Sequence, residues 1–226
     1  MFTLILLAGG NGTRMNNSVP KQFMLIGGRP MIMHTLDRIE KISQIDEVII
    51  VCQKVHEKIL DNYKVEYGLR KKIIYAPAGA TRQESVYNGL KMVNTEKVII
   101  HEAARPFVKE DEFRKLINLD YDYVTYTLPI PFTVLKADNE GICDILNRDE
   151  LVNIQLPQKF ITSTLLEVHE MARNDGKTFT EDVSMIVYYK GIKVKHINGT
   201  SNNIKITNET DLIIANEIYK EYIIGR

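Results

Sequence analysis

The sequence lacks tryptophan, has only two cysteines and carries no net charge. Its 226 residues include 29 lysines and arginines against 29 aspartates and glutamates, so the chain as a whole exerts no general attraction on nucleic acid. Cys52 and Cys143 form no metal-binding or redox motif and indicate no disulfide framework, which fits a reducing, cytoplasmic environment. Any anion must therefore be bound by a local cluster of cations.

Long apolar runs are also absent. Residues 2–8 are apolar, but this run is too short to span a membrane and leads directly into Gly9-Gly10. The run also lacks the basic start of a signal peptide, so we expect no membrane partner. Hydrophobic residues make up 44% and charged residues 26%, as in an ordinary globular protein. The chain is long enough to bury the core of one large domain.

Short apolar runs alternate with amphipathic stretches along the first half of the chain. The apolar runs predict buried strands at Phe2–Leu7, Val48–Cys52, Ile73–Ala76, Val98–His101 and Tyr123–Leu128. The amphipathic stretches predict helices at Pro30–Ile42, His56–Tyr67, Arg82–Val93 and Glu110–Leu119. This alternation is typical of an α/β protein with a Rossmann-like, mostly parallel sheet and helices on both faces. Such sheets bind ligands beyond the carboxyl ends of their strands.

The alternation breaks between about Pro129 and Gln155. There, Phe132–Lys136 and Ile142–Leu146 flank a polar turn and predict a β-hairpin. The hairpin either projects as an arm or packs at the edge of its own sheet, and the sequence favours neither. Further elements are expected at Thr164–Asn174 (helix), Glu181–Tyr189 (helix), Lys193–Ile197 (strand) and from about Glu209 (helix). No repeat or linker is evident, which predicts one domain over residues 1–226.

A glycine-rich loop follows the first predicted strand. It consists of Leu7, Ala8, Gly9, Gly10, Asn11, Gly12, Thr13 and Arg14, and Pro20-Lys21-Gln22 comes soon after. Glycines let the backbone approach a ligand and turn its N–H groups toward an anion, while Arg14 and Lys21 add charge that suits a triphosphate. The alternative is a plain turn beside two surface cations. Met15 replaces the third glycine of a dinucleotide fingerprint, and the Gly-Lys-Ser/Thr of a P-loop is absent.

Two further polar motifs follow later strands. Residues 78–86 open a predicted helix, whose free N–H groups attract anions or polar base edges. Capping by Thr81 and Glu84 is the plain alternative there. Residues 101–107 place Glu102 and Arg105 at a strand end, where they either hold one substrate or form a local ion pair. We expect His101 to pack with a hydrogen bond rather than to titrate in catalysis.

Three more motifs lie in the second half of the chain. They are Arg148 with Gln155–Phe160, Thr180-Glu181-Asp182, and Asn203–Thr207. In the last motif Lys205 lies between two isoleucines. This pattern suits either a buried cation aimed at a phosphate or an exposed residue of an alternating strand.

Together these motifs resemble those of the bacterial cytidylyltransferases that act on polyol phosphates, of the 2-C-methyl-D-erythritol 4-phosphate and ribitol 5-phosphate types. The matching strings, in family order, are Leu-Ala-Gly-Gly-x-Gly-x-Arg-Met, Pro-Lys-Gln, Gly-Ala-x-Arg-x-x-Ser-Val, His-x-Ala-Ala-Arg-Pro, Pro-Gln-x-Phe and Asn-Ile-Lys-Ile-Thr. The resemblance runs from Leu4 to about Glu217. It implies transfer of CMP from CTP to a sugar-alcohol phosphate, in isoprenoid biosynthesis or for a cell-wall or capsule polysaccharide precursor. Such transfer needs positioning and charge neutralisation rather than a covalent nucleophile.

The resemblance also assigns roles to individual residues. The cations that would act in catalysis are Arg14, Lys21 and Lys205. The residues that would bind CTP are Leu7, Ala8, Gly9, Gly10, Asn11, Gly12, Thr13, Gly79, Ala80, Arg82, Ser85 and Ala103. The residues that would bind the acceptor are Glu102, Arg105, Arg148 and Thr180. Mg²⁺ would be held mainly by oxygens of the nucleotide, without a dedicated set of protein ligands.

The arm, at about residues 130–155, would clasp a second subunit and so implies a homodimer. Three departures from the family pattern lie on the acceptor side: Glu102 replaces Asp, Thr133-Val134 replaces Asp-Thr, and Leu156 replaces Thr. The triphosphate and cytosine motifs, by contrast, match the family pattern, so the motifs indicate CTP and do not specify the alcohol. Two alternatives remain, a sugar nucleotidyltransferase that uses UTP or GTP and a non-catalytic nucleotide-binding protein.

Overall fold

A seven-stranded sheet organises the chain in the computed structural model, which describes residues 1–10 and 19–224. The strands of the described ranges are β1 (Phe2–Leu7), β2 (Leu25–Ile26), β3 (Arg29–Pro30), β4 (Ile45–Cys52), β5 (Lys72–Pro77), β6 (Lys97–Glu102), β7 (Val124–Pro129), β8 (Leu135–Asp138), β9 (Gly141–Ile145), β10 (Val152–Ile161) and β11 (Lys195–Asn198). The α-helices are α1 (Met31–Glu40), α2 (Glu57–Glu66), α3 (Arg82–Leu90), α4 (Glu110–Asn118), α5 (Thr162–Asn174), α6 (Asp182–Lys190) and α7 (Glu209–Ile224). Short 3-10 helices lie at Lys21–Phe23, Lys54–His56 and Arg148–Glu150.

The large sheet has the strand order β11-β7-β10-β6-β1-β4-β5. β1 pairs in parallel with β4 and β6, β4 with β5, and β7 with β11, while β10 runs antiparallel to both of its neighbours. The predicted α/β fold with a mostly parallel sheet is confirmed. The bounds of the five strands predicted in the first half shift by three residues at most, at Ile45.

Alternation of apolar side chains along each strand creates two cores, one on each face of the sheet. Leu4 and Leu6 belong to one core, which is completed by α1, α2 and α4, whereas Ile5 belongs to the other, completed by α3, α5 and α6. The expected helices on both faces are therefore present. A smaller apolar cluster packs α7 beside β2. Among the described helices, none combines the length and apolarity needed to cross a membrane.

The strand β10 was not predicted. Pro157 cannot donate to a ladder, and the polar residues Gln155, Gln158 and Lys159 conceal the alternation that identifies a strand. In the structure the register passes from Gln155 opposite Tyr126 to Gln158 opposite Thr125, so the ladder skips the proline. Lys159 is buried and donates to the carbonyl of Leu119 at 2.7 Å, just past the end of α4. Burial lowers the pKa of Lys159 to about 8.

The predicted hairpin is formed by β8 and β9, which pair only with each other. Every residue of both strands is exposed. Of the two alternatives, the structure therefore supports a projecting arm rather than an edge packed on the main sheet.

Candidate active site

A pocket of about 630 Å³ opens beyond the carboxyl ends of β1, β4, β5 and β6. This is the place predicted for a ligand in such a sheet. The predicted site residues that line it are Leu7, Ala8, Gly9, Gly10, Lys21, Gly79, Ala80, Arg82, Ser85, Glu102, Ala103 and Lys205. Asn11, Gly12, Thr13 and Arg14 lie outside the described residues. Five lining residues were not predicted as site residues: Gln22, Gln53, Ala78, Thr81 and Ala104.

The position of each strand end was a usable signal for the missed residues. Gln53 directly follows β4, as Ala78 follows β5 and Ala103-Ala104 follow β6. In a parallel sheet these ends meet at one edge, whatever the chemistry of the side chain. Gln22 directly follows Lys21, but its side chain is uncharged, so the sequence gives no sign that it lies beside a phosphate site.

Backbone hydrogen bonds continue past the strand ends and draw the loops together. Ala8 N–H donates to the Val51 carbonyl at 2.9 Å, and Ala103 N–H donates to the Leu7 carbonyl at 3.0 Å. Ala78 is tied in the same way, to Cys52 at 3.0 Å. As a result, a Cβ atom on Gly9 would lie only 2.5 Å from the Cβ of Ala78. Gly9 is therefore required by packing between two loops.

The first turn of α3 shapes a second wall of the pocket. Thr81 caps the helix, with its Oγ1 accepting from Glu84 N–H at 3.1 Å, so the predicted cap is confirmed. Glu84 accepts in turn from Ala80 N–H at 2.8 Å. Ser85 Oγ accepts from Gly79 N–H at 3.0 Å. The side chains of this turn thus fix the backbone of residues 79–80 at the pocket.

Arg82 lies among three carboxylates. Its Nε is 3.0 Å from Glu102 Oε1, its Nη1 is 2.9 Å from Asp182 Oδ2, and its Nη2 is 3.3 Å from Glu181 Oε2. The second oxygen of Glu102 pairs with Lys205 Nζ at 2.7 Å. Burial raises the pKa of Glu102, but Lys205 and Arg82 outweigh burial and hold it at about 2. Glu102 is therefore an anion that links two cations of the pocket wall.

These contacts bear on two pairs of alternatives that the sequence left open, at Glu102 with Arg105 and at Lys205. The local pair of Glu102 and Arg105, one of the two alternatives for these residues, is not observed among the ion pairs of the described residues. Glu102 pairs instead with Arg82 and Lys205, while Arg105 Nη1 donates to the Asn203 carbonyl at 2.9 Å. Lys205 is neither buried nor part of a strand. It lies in the segment between β11 and α7 with 37% of its side chain exposed.

His101 behaves as the sequence predicted. It is fully buried, its Nε2 lies 3.2 Å from the Arg105 carbonyl, and its ring meets Phe113 edge to face. Burial lowers the pKa of His101 to about 3, so the ring is neutral at physiological pH.

A sequence model of the family described as "IspD: 2-C-methyl-D-erythritol 4-phosphate cytidylyltransferase" matches residues 2–221. The chain belongs to the IspD family. The resemblance inferred from the motifs is thereby confirmed.

Individual members of the family agree with this match. A 2-C-methyl-D-erythritol 4-phosphate cytidylyltransferase of Clostridium botulinum is 34% identical over 224 residues, which cover 97% of each chain. The chloroplastic enzyme of Oryza sativa is 32% identical, over 97% of this chain and 74% of its own length. Among solved structures, 4-diphosphocytidyl-2C-methyl-D-erythritol synthase of Anaerococcus prevotii has a TM-score of 0.86 and 31% identity, over 97% of this chain and 96% of that one.

In this IspD-family chain, most of the predicted acceptor-binding residues lie outside the pocket that the described CTP-binding residues line. Glu102 lines the pocket, whereas Arg105, Arg148 and Thr180 are not among its lining residues. Arg148 lies on an exposed 3-10 helix of the arm, just after β9, and donates to the Pro131 carbonyl at 3.4 Å. Thr180 is exposed just before α6. The acceptor roles of these residues stay predictions.

Proposed function

We propose that this chain transfers CMP from CTP to the phosphate of 2-C-methyl-D-erythritol 4-phosphate, releasing pyrophosphate. One observation carries the proposal: a single pocket brings together the strand-end glycines Gly9 and Gly10, the cations Lys21 and Lys205, and the α3 turn. Membership of the IspD family and the names of its members support this acceptor over ribitol 5-phosphate. The chain would then serve isoprenoid rather than polysaccharide precursor synthesis.

In the proposed reaction an oxygen of the acceptor phosphate attacks the α-phosphorus of CTP. The new P–O bond forms as the bond from the α-phosphorus to the bridging oxygen breaks, and pyrophosphate leaves with that electron pair. Backbone N–H groups at Gly9 and Gly10, with Lys21, Lys205 and Arg14, would neutralise the charge that builds on the phosphates. Residues of the α3 turn would recognise cytosine, and Arg82 and Ala103 would hold the nucleoside.

The residues of the pocket fit a magnesium ion that arrives with the nucleotide. Among the described residues that line the pocket, Glu102 is the only one with a carboxylate. Its two oxygens already pair with Arg82 and Lys205. Mg²⁺ keeps several waters and binds through one or two carboxylates plus substrate phosphates. We therefore propose that oxygens of CTP supply most of its ligands. When bound, the ion would neutralise negative charge on the triphosphate.

The proposal predicts pyrophosphate release when the protein is incubated with CTP, Mg²⁺ and 2-C-methyl-D-erythritol 4-phosphate. Release should fall to background when UTP or GTP replaces CTP, and when a chelator removes the metal. Ribitol 5-phosphate should react more slowly, because the acceptor hydroxyls are arranged differently. A coupled pyrophosphate assay measures release under each of these conditions. Folded protein that binds CTP but releases no pyrophosphate with either acceptor would instead support the non-catalytic alternative.

We further propose a homodimer in which the arm of one chain contacts its partner and brings Arg148 near the partner's acceptor site. The support is the exposure of apolar side chains on and beside the arm. Phe132 is 77% exposed, Ile142 71% and Ile145 82%. Monomeric proteins rarely expose such patches without a binding role. The cytoplasmic location expected from the unpaired cysteines also remains a prediction.

The dimer proposal predicts that the double variant F132D/I145D is a monomer in light scattering after gel filtration, while the unmodified chain has twice that mass. Carboxylates would have to be desolvated at the interface, which opposes association. Val65→Asp is the matched control, since Val65 is 83% exposed on α2. A dimer that survives the double change, or dissociates equally with V65D, would place the interface elsewhere.

A further inference from the structure

Two fully buried polar side chains lie behind the pocket without lining it. Asp182 begins α6 and His169 lies within α5, and both have 0% exposure. The α5 helix packs on α6. A buried charge is costly unless neighbouring groups pair with it or donate hydrogen bonds to it. The contacts of Asp182 therefore decide whether its carboxylate can be ionised.

Asp182 divides its two oxygens between two partners. Oδ1 lies 2.9 Å from His169 Nε2, and Oδ2 lies 2.9 Å from Arg82 Nη1. Burial raises the pKa of Asp182, but Arg82 and the hydrogen bond from His169 outweigh burial and hold it at about 2. Asp182 is therefore ionised. Because a carboxylate only accepts, His169 donates through Nε2.

These contacts continue without a break into the pocket wall. From Asp182 they pass to Arg82, then to Glu102 at 3.0 Å and to Lys205 at 2.7 Å. We call His169, Asp182, Arg82, Glu102 and Lys205 the charge chain. Its members come from α5, α6, α3, the end of β6 and the segment before α7. Only the last three line the pocket.

We propose that His169 and Asp182 are positioning residues of the transfer site, which through Arg82 fix the Glu102 carboxylate and thereby the place of Lys205. This inference rests on the proposed function of the pocket. It gives Arg82 a role beyond the contact with the nucleoside proposed above, because three of its nitrogens already face separate carboxylates.

The geometry explains how a buried contact would influence a residue at the pocket. The planar guanidinium offers its N–H groups in a fixed fork, so moving one corner turns the whole group. If Asp182 loses the hydrogen bond from His169, its carboxylate is no longer held in place. Arg82 Nη1 then loses a fixed partner. The Arg82 guanidinium can then shift toward Glu181 or Glu102, and the Glu102 carboxylate shifts with it. Misplacement of a charged group by about 1 Å can lower a rate by about 10²-fold.

The matched pair His169→Gln and His169→Leu tests this positioning role. Glutamine retains a donor near the place of Nε2, whereas leucine fills similar space without one. We expect H169L to lower kcat/KM for CTP by about tenfold, as loss of a supporting partner does in other sites. The H169Q variant should retain most of the activity. Asp182→Asn, which places an amide opposite Arg82, should behave as H169L does, and it serves if H169L fails to fold.

A double-mutant cycle separates positioning from general stability. In an Arg82→Gln background the link to the pocket is already cut, so H169L should change kcat/KM less than twofold relative to R82Q alone. An equal loss in both backgrounds, or equal activity of H169L and H169Q, would overturn the proposal. The CTP dissociation constant is measured by calorimetry for the same proteins. If the unmodified chain shows no turnover, the proposed function fails, and the same cycle in CTP affinity still decides the role of His169.

Discussion

Replacement of Lys205 by methionine is expected to lower kcat/KM for CTP by about 10²–10³-fold, the cost of removing one preorganised group that stabilises transition-state charge. Lys205 lines the pocket together with Gly9, Gly10 and Lys21. Methionine retains an unbranched side chain of similar length, so the change removes charge more than volume. Steady-state kinetics at saturating acceptor, with Mg²⁺ held constant, measure the effect.

The loss of Lys205 has a second consequence at Glu102. The carboxylate keeps its contact with Arg82 but loses the lysine at 2.7 Å, so an excess of negative charge remains beside the triphosphate. Both effects oppose transfer to a highly charged substrate. The double variant K205M/E102Q should therefore recover part of the CTP affinity that K205M loses, without recovering kcat.

Lys97→Met is the matched control for this prediction. Lys97 also pairs with a carboxylate, Asp122, at 2.7 Å, but it begins β6 whereas Glu102 ends it. The two lysines thus form ion pairs of the same length at opposite ends of β6. We expect K97M to change kcat/KM by less than about twofold, since exposed pairs contribute little. A comparable loss in both variants would show that Lys205 acts through stability rather than on the phosphates.

Much of the fold could be predicted because its signals are local. Continuous apolar runs mark the strands β1, β4, β5, β6 and β7. The cap at Thr81 depends only on residues 81–84, so it too can be read from the local sequence. β10 could not be predicted in this way, because its polar residues are satisfied by partners far along the chain. Gln155 donates to the Thr200 carbonyl and Lys159 to the Leu119 carbonyl. Tertiary contacts thus override the local pattern.

The residues of the candidate site likewise fall into those that local sequence signals identify and those that depend on distant contacts. The glycines and cations near strand ends were identifiable because the strand ends of a parallel sheet converge. The charge chain was not, since Asp182 and Arg82 are a hundred positions apart and His169 lies in an amphipathic helix where a histidine gives no sign of its partner. Glu102 shows most clearly that the sequence can place a residue in the pocket without revealing its partners. Its place in the pocket was predicted, but its two cationic partners come from elements on either side of it in the sequence.

Replacement of Gly9 by alanine is expected to lower kcat/KM for CTP by about 10²-fold. The added Cβ would lie 2.5 Å from Ala78 Cβ, about 1 Å inside normal carbon–carbon contact. Both residues follow strands that are held by backbone hydrogen bonds, so neither loop can yield without breaking a ladder. The N–H groups of the loop would then move relative to the triphosphate, and a shift of about 1 Å is enough for a loss of this size.

A compensating change makes this prediction specific. In the double variant G9A/A78G the clashing Cβ of Ala78 is gone, and the next contact of the new methyl group is the Ala78 Cα at 3.5 Å, which is ordinary packing. We expect most of the activity to return, while A78G alone remains close to the unmodified chain. Thermal unfolding of each variant verifies that the proteins are folded at the assay temperature. If G9A is inactive and A78G does not restore it, the glycine is required for direct approach of the ligand rather than for the packing of the two loops.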